Sequence, residues 1–592
     1  MTQHLRRSQY VLTWGPGSIL EGPDGPRIIS DPDIGLFHRK NMQPDSFEIF
    51  DERMSKGLLN NSKIFRLPSN AELGWNEETS IYKTRSFPNW ALCITHWILH
   101  RKEDGCPMCK DPKEKYSHGA IRFVVACPEG HMDDVYWDFI VHLNTNGKCG
   151  KGNYPKYYLW LGGGGNLSDI KIQCPKCKES IEFGKVYSYQ WTCSGRYPEK
   201  EPLDSPPIRP YNCDSMSRII LRQSSSLRIP EIVSLFTVPP RYSKIHNILE
   251  TQPIQTMLAF RTPNNMHEFE IGLNRLKELG FLKKGNIDYI LNYNWNIIKK
   301  ALDDLQSKNK YLEYSPLLLE EYYTLINASV NGAPPVEDEN HRDLWFEVPL
   351  SKIRRIKSPN GIKFRIVPVT KLRTVIVQKG YRRLSPLNEL QDISFTDEKN
   401  DEWYPGVEFL GEGIFIMFDE DEGRVPKIDQ ISAQRWKAAY SSPVKEYQEN
   451  LFRGYQDRIE LHPTFVWWHT FSHLLLRILA IDSGYTSASI RERVYTEITE
   501  SGPRGGVILY TVQPGEGTMG GLISLTEKFE RILEKSVETI SSCPNDPLCN
   551  EQQFINGKYS GASCYGCLLV SETSCEHRNM WLDRHLLLEK LP

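Results

Sequence analysis

The chain has 592 residues, of which 39% are hydrophobic and 25% charged, with a formal net charge of −2. This is globular composition, at a length that suits roughly three or four domains. The near-neutral balance excludes a polycation that binds nucleic acid over its whole surface, so any such contact needs a local basic patch.

The first residues, MTQHLRRSQYVLTWGPG, hold no apolar core of a signal peptide, and a cytoplasmic protein is expected. Residues 1–90 form an N-terminal segment rich in Pro, Gly and Asn. Residues 91–225 carry nine of the 14 cysteines and read as a zinc-knuckle region. Residues 226–326 are expected to be largely helical. MHEFEIGLNRLKELGFL and WNIIKKALDDLQ repeat apolar residues at i, i+3 and i+4. Residues 327–402 read as a linker, NASVNGAPPVEDENHRD over 327–343, followed by a basic segment with strand-like alternation, KFRIVPV and LRTVIVQ. Residues 403–592 read as an α+β unit that ends in the other five cysteines. Its most apolar stretch, Phe465 to Ile481, is interrupted by His469, His473 and Arg477 and falls short of a membrane span, so it reads as a buried helix. The fold class expected is α+β and multidomain, with zinc-ribbon or knuckle modules in the N-terminal half and an α+β zinc-binding domain at the C-terminus.

In a reducing compartment CxxC pairs are metal ligands or redox motifs rather than disulfides. Tetrahedral zinc needs four donors, and one knuckle supplies two. Cys93 and His96, then Cys106 and Cys109, make one expected set. Cys174 and Cys177 with Cys193 and Cys213 make a second. Cys127, His131, His142 and Cys149 are a weaker third, since a buried cysteine also packs as a small apolar residue. Cys543, Cys549, Cys564, Cys567 and Cys575 put five cysteines in competition for four places. Saturated, thiolate-rich sites are structural, whereas a catalytic zinc keeps an open position.

No GxxxxGK[ST] occurs, so the sequence offers no phosphate-binding loop for an ATPase. The run Gly162–Gly165 reads as a hairpin turn. His469 and His473 share one helical face, but Thr470 stands where a zincin has its glutamate, so the pair reads as core histidines bonded to neighbouring loops. Between 351 and 384 there are 11 Lys or Arg and no acid, where the chain average gives about four. Arg354, Arg355, Lys357, Arg373, Arg382 and Arg383 are the expected DNA contacts, against the alternative of a solvated face balanced by the acidic run at 418–423.

FVWWHTFSHLLLRI, GYTSASIRERVY, GVILYTVQPGEGTMGGL, CPNDPLC, GASCYGCLL, ETSCEHRN and LDRHLL resemble the MrfA-like zinc-binding domain, found beside or fused to superfamily 2 helicases. RRSQYVLTWGPGSI, FPNWALCITH, RFVVACPEGHMDD, LRTVIVQKGYRRLSP and GVEFLGEGIFI extend the likeness over essentially the whole chain, which resembles the DrmB family of the DISARM antiphage defence system. The resemblance implies a non-catalytic, zinc-binding subunit of a bacterial antiphage complex. It implies pairing with a separate superfamily 2 helicase subunit, DrmA-like, that carries the ATPase, and help in binding invading phage DNA. His96 stands where the family has Cys, and Thr374 where it tends to have an acid. The alternative function is a metal-dependent nuclease or hydrolase, with His131, Asp133, Asp134 and His142 as an open metal site. A stand-alone DNA-binding regulator is disfavoured by the near-neutral charge and the lack of a recognisable helix-turn-helix.

Overall fold

The computed structural model describes residues 5–589 apart from 23–24, 32–43, 73, 75–81, 112–118, 144–148, 150–152, 163–165, 204, 239–247, 250, 292–294, 296–297, 300–301, 303–313, 336–344, 360, 387, 397–401, 420–461, 484–488, 500–501, 513–520, 553–559 and 572. Helix and sheet are mixed throughout. The chain divides into two compact units that interleave along the sequence. One comprises Met1–Phe50, Ser62–Ser234 and Ile376–Val407, and the other Asp51–Asn61, Leu235–Val375 and Glu408–Pro592.

The first unit holds sheets of short antiparallel strands. A six-stranded sheet runs in the order Ser180–Glu182, Lys171–Gln173, Tyr157–Leu161, Ile98–Arg101, Trp90–Cys93, Gly119–Ala120. A four-stranded sheet runs Gln190–Thr192, Met216–Leu221, Phe123–Ala126, Met132–Asp134. Their shared core gathers large aromatics, among them Trp90, Phe123, Trp137, Trp160, Phe183 and Trp191. Aromatics bury much area per residue, which compensates for strands of only two to six residues. The Gly162–Gly165 run does join two paired strands, Leu161 opposite Lys171. Gly162 has φ +91°, and a Cβ there would sit 2.0 Å from the Asp169 carbonyl oxygen, so only glycine fits the turn. Gly163, Gly164 and Gly165 lie outside the described residues.

The second unit contains a sheet buried on both faces. Strand residues 413–417 pair with 506–510, and Ile490–Thr499 pairs with Gly502–Thr511, all antiparallel. Side chains alternate between faces with period two. Ile414, Ile416, Val507 and Leu509 pack with the helix Pro463–Ser483, through Phe465, Trp467, Trp468 and Phe471. Phe415, Met417, Ile508 and Tyr510 pack on the opposite side with Tyr322, Leu325 and Ala328 of the helix Tyr314–Asn331. That is why 463–483 is apolar nearly all round: it is enclosed by the sheet, the helix Phe529–Ile540 and the C-terminal cysteine segment. A separate small core holds the helices Gln252–Phe260, Met266–Glu278 and Lys284–Leu291.

Two expectations change here. The linker expected from 327 is helix as far as Asn331, because Ala328 and Ser329 are buried against the sheet and Gly332, at φ +67°, ends the helix. The remaining linker residues at 336–343 lie outside the described residues, as does much of the helix expected at 295–306. The two strands read from KFRIVPV and LRTVIVQ are one continuous strand, Lys363–Arg382. Among the described residues no helix is long and apolar enough to cross a membrane.

Candidate metal centres

All 14 cysteines are free thiols, and most are buried. The first cluster forms around a hairpin. Strand Trp90–Cys93 pairs with Ile98–Arg101, placing Cys93 opposite Ile98 and His96 in the turn. Cys106 and Cys109 follow the second strand. His96 Nδ1 lies 3.5 Å from Cys93 Sγ, 3.8 Å from Cys106 Sγ and 3.4 Å from Cys109 Sγ, and the Cys93 and Cys109 sulfurs are 3.8 Å apart. Four donors bonded to one zinc at ~2.3 Å Zn–S stand about 3.8 Å apart along a tetrahedral edge. The cluster therefore has the size of a filled zinc site, far from the ~2.05 Å of a disulfide.

The next eight donors group differently from the spacing-based expectation. Cys193 and Cys213 gather with Cys127 and His131, while Cys174 and Cys177 gather with His142 and Cys149. Strand order explains the exchange. Cys127 and His131 form the turn between Phe123–Ala126 and Met132–Asp134. Cys193 follows Gln190–Thr192 and Cys213 precedes Met216–Leu221. Because Met216–Leu221 lies antiparallel to Phe123–Ala126, with Arg218 opposite Ala126, both turns fall at the same end of the four-stranded sheet. Cys127 Sγ is 3.3 Å from His131 Nδ1. Cys193 is held down to about 4, first by its hydrogen bond with Cys127, whose own thiol that contact pushes far upward. The contact thus favours the metal-binding thiolate at Cys193 and the protonated thiol at Cys127.

In the third cluster the knuckle Cys174–Cys177 lies between Lys171–Gln173 and Ser180–Glu182. Cys149 Sγ is 3.9 Å from Cys174 Sγ. His142 caps the short helix Trp137–Val141 and gives its Nδ1–H to the Asp138 carbonyl at 2.7 Å, which leaves Nε2 to face the sulfurs.

At the C-terminus Cys543, Cys549, Cys564 and Cys567 converge, with sulfur separations of 3.4 Å (Cys543–Cys564) and 3.7 Å (Cys549–Cys567 and Cys564–Cys567). Burial pushes the Cys564 thiol up, but hydrogen bonds from Asn545 and Cys543 outweigh it and hold Cys564 down to about 6. Cys575, expected among these ligands, is absent from this group and lies beside His469, His473 and Glu492. Glu492 was not anticipated. Its signal is that it alternates with Ile490 and Val494, so an acid stands on an apolar face of its strand.

The open metal site imagined from His131, Asp133, Asp134 and His142 does not assemble. The two histidines enter different cysteine clusters. Asp133 accepts from Arg196 and Arg209 at 2.6 Å each, and Asp134 from Arg196 at 3.3 Å and from the Asn89 amide at 2.7 Å. Buried carboxylates matched this fully by guanidinium groups are structural pairs with little capacity left for a cation.

The six expected DNA contacts also separate. Arg354, Arg355 and Lys357 are exposed on the strand Arg354–Lys357, Arg355 within 3.4 Å of Asp419. Arg373 is mostly buried and paired with Glu408, and Arg382 is about a quarter exposed and lies beside Glu231. Arg383 is wholly buried. It pairs with Glu199 at 3.1 Å and donates to the carbonyls of Gly130 and Leu227, so no phosphate reaches it. Its charge serves folding of the first unit.

Residues 6–229 match the family described as a domain of unknown function (DUF8724), and residues 471–568 match the MrfA Zn-binding domain. The chain is 27% identical over 541 residues to the DISARM protein DrmB of Bacillus paralicheniformis, covering 85% of this chain and 88% of that one. A crystal structure of the DUF1998 helicase MrfA bound to DNA overlaps 32% of this chain and 20% of that chain at 11% identity, with a TM-score of 0.17, which carries no argument about fold or function. Zinc-sized Cys/His clusters in both units thus accompany a similarity to DrmB along most of the chain and a match to the MrfA Zn-binding domain in its C-terminal part.

Proposed function

We propose that this chain is a non-catalytic, zinc-clamped subunit of a DISARM-like antiphage complex, pairing with a DrmA-like superfamily 2 helicase and helping it hold invading DNA. The observation that carries the reading is the set of four saturated clusters: Cys93/His96/Cys106/Cys109, Cys127/His131/Cys193/Cys213, His142/Cys149/Cys174/Cys177 and Cys543/Cys549/Cys564/Cys567. Each offers zinc four donors and leaves no position for substrate, so the metal's role is to lock turns together. Zinc supplies binding energy that becomes folding energy, and the residues around it supply the surfaces a partner recognises. The similarity to DrmB supports the defence setting. The exposed basic strand Arg354–Lys357 supports a DNA-facing surface in the second unit. The test is co-expression with the helicase subunit and purification at low salt. A stable complex is expected, and a chain that elutes alone under those conditions refutes the pairing.

A further inference from the structure

We propose that His469, His473, Glu492 and Cys575 form a fifth metal site, buried in the second unit, that holds one zinc-class divalent ion through two imidazoles, a carboxylate and a thiolate. The four ligand atoms lie within 4.8 Å of one another. His469, His473 and Glu492 are 0% exposed and Cys575 5%. The MrfA Zn-binding match at 471–568 includes neither His469 nor Cys575.

His473 Nδ1 is 3.0 Å from the Leu568 carbonyl oxygen, and His469 Nδ1 3.4 Å from that of Trp581. A carbonyl only accepts, so each ring carries its hydrogen on Nδ1, and each Nε2 presents a lone pair. Both Nε2 atoms then lie 2.9 Å from the same oxygen, Glu492 Oε1, which also only accepts. Cys575 Sγ stands 3.2 Å from His469 Nε2 and already accepts from the backbone N–H groups of His577 and Asn579, both at 3.3 Å. Apart from the weak hydrogen of a Cys575 thiol, only acceptors converge on this point, and a cation among them would satisfy all four.

Charge decides which cation. Without a metal Cys575 stays a neutral thiol, its deprotonation opposed by burial, and two extra protons would place two imidazoliums against one carboxylate, a net positive charge in a water-excluded core among Phe465 and Trp581. One divalent ion with Glu492 carboxylate, Cys575 thiolate and two neutral imidazoles sums to zero, which an apolar interior tolerates best. The surroundings are those of a ligand set. Histidines that bind metal through Nε2 donate Nδ1–H to a carbonyl, as both do here. The carboxylate's other oxygen is held by the Ser472 hydroxyl. Backbone amides reach the Cys575 sulfur from two and four residues on, as the Asn545 amide reaches Cys543 in the neighbouring cluster. Imidazole and thiolate donors suit zinc over magnesium or calcium. Four protein donors and complete burial make the site structural. It ties the helix Pro463–Ser483 to the strand Ile490–Thr499 and to the segment at 575.

The test is metal content of the full-length chain by inductively coupled plasma mass spectrometry after purification with zinc present. Wild type is expected to hold five zinc ions per chain, and Cys575→Ala and His473→Gln four each, with the other clusters still loaded. The wild-type count stands whether or not a variant folds. Four ions in wild type, or variants that match wild type, overturn the proposal in favour of a protonated histidine–glutamate network.

Discussion

Replacing Cys193 by Ser tests the exchange of partners between two of the zinc clusters. The structure places Cys193 with Cys127, His131 and Cys213 at one end of the four-stranded sheet, while Cys174 and Cys177 belong with His142 and Cys149. Structural zinc contributes on the order of 10–16 kcal/mol in small peptides, comparable to the whole ~5–15 kcal/mol stability of a domain. Losing a thiolate should therefore release the ion and open both turns, though the sheet and its aromatic core persist beyond them. The readout is iodoacetamide labelling mapped by mass spectrometry, with zinc counted on the same sample. In the variant, Cys127 and Cys213 should become reactive together and one zinc should be lost. Cys149, Cys174 and Cys177 should stay protected. Labelling of Cys174 and Cys177 with Cys127 still protected would restore the grouping that spacing suggests and refute the strand-order argument.

Arg383→Met leaves buried Glu199 without its guanidinium, at a cost of about 3–5 kcal/mol. At ~2–4 °C per kcal/mol this predicts a melting point lower by roughly 10 °C in scanning calorimetry, with no change in the salt dependence of DNA binding by the folded fraction. Asp31 is pushed up to about 6, first by burial and then by Glu199. The folded form thus holds this proton more tightly than the unfolded chain, and stability falls as pH rises from about 4 to about 6. Asp31→Asn should raise the melting point at pH 8 by the equivalent of about 1 kcal/mol after solvent screening, and by less at pH 5. Reversing Arg354, Arg355 and Lys357 to Glu should weaken DNA binding by the complex and reduce its salt slope by up to about three phosphate contacts, and an unchanged slope moves the DNA surface elsewhere.

The sequence makes the donors legible and their partners obscure. A knuckle such as Cys174–Cys177 is a local turn, so spacing alone reveals it. Which distant pair completes the tetrahedron depends on strand order, and nothing between 127 and 213 encodes that Met216–Leu221 lies beside Phe123–Ala126. Composition likewise registers Arg354 and Arg383 as equal charges. One faces solvent, and the other is held by a carboxylate and backbone carbonyls whose positions arise from residues 130, 199 and 227. The buried helix at 463–483 is readable from its apolar stretch despite His469, His473 and Arg477, and five thiols for four places show that one cysteine is spare without showing that it is Cys575. That Cys575 finds Glu492 is a product of the packed core.

The most direct measurement is the DNA-stimulated ATPase rate of the helicase subunit, with this chain absent, present, or stripped of zinc by a chelator. The account predicts a higher rate with the intact chain and loss of that gain when the zinc is gone. An unchanged rate with the intact chain, or a gain that survives complete zinc removal, would contradict it.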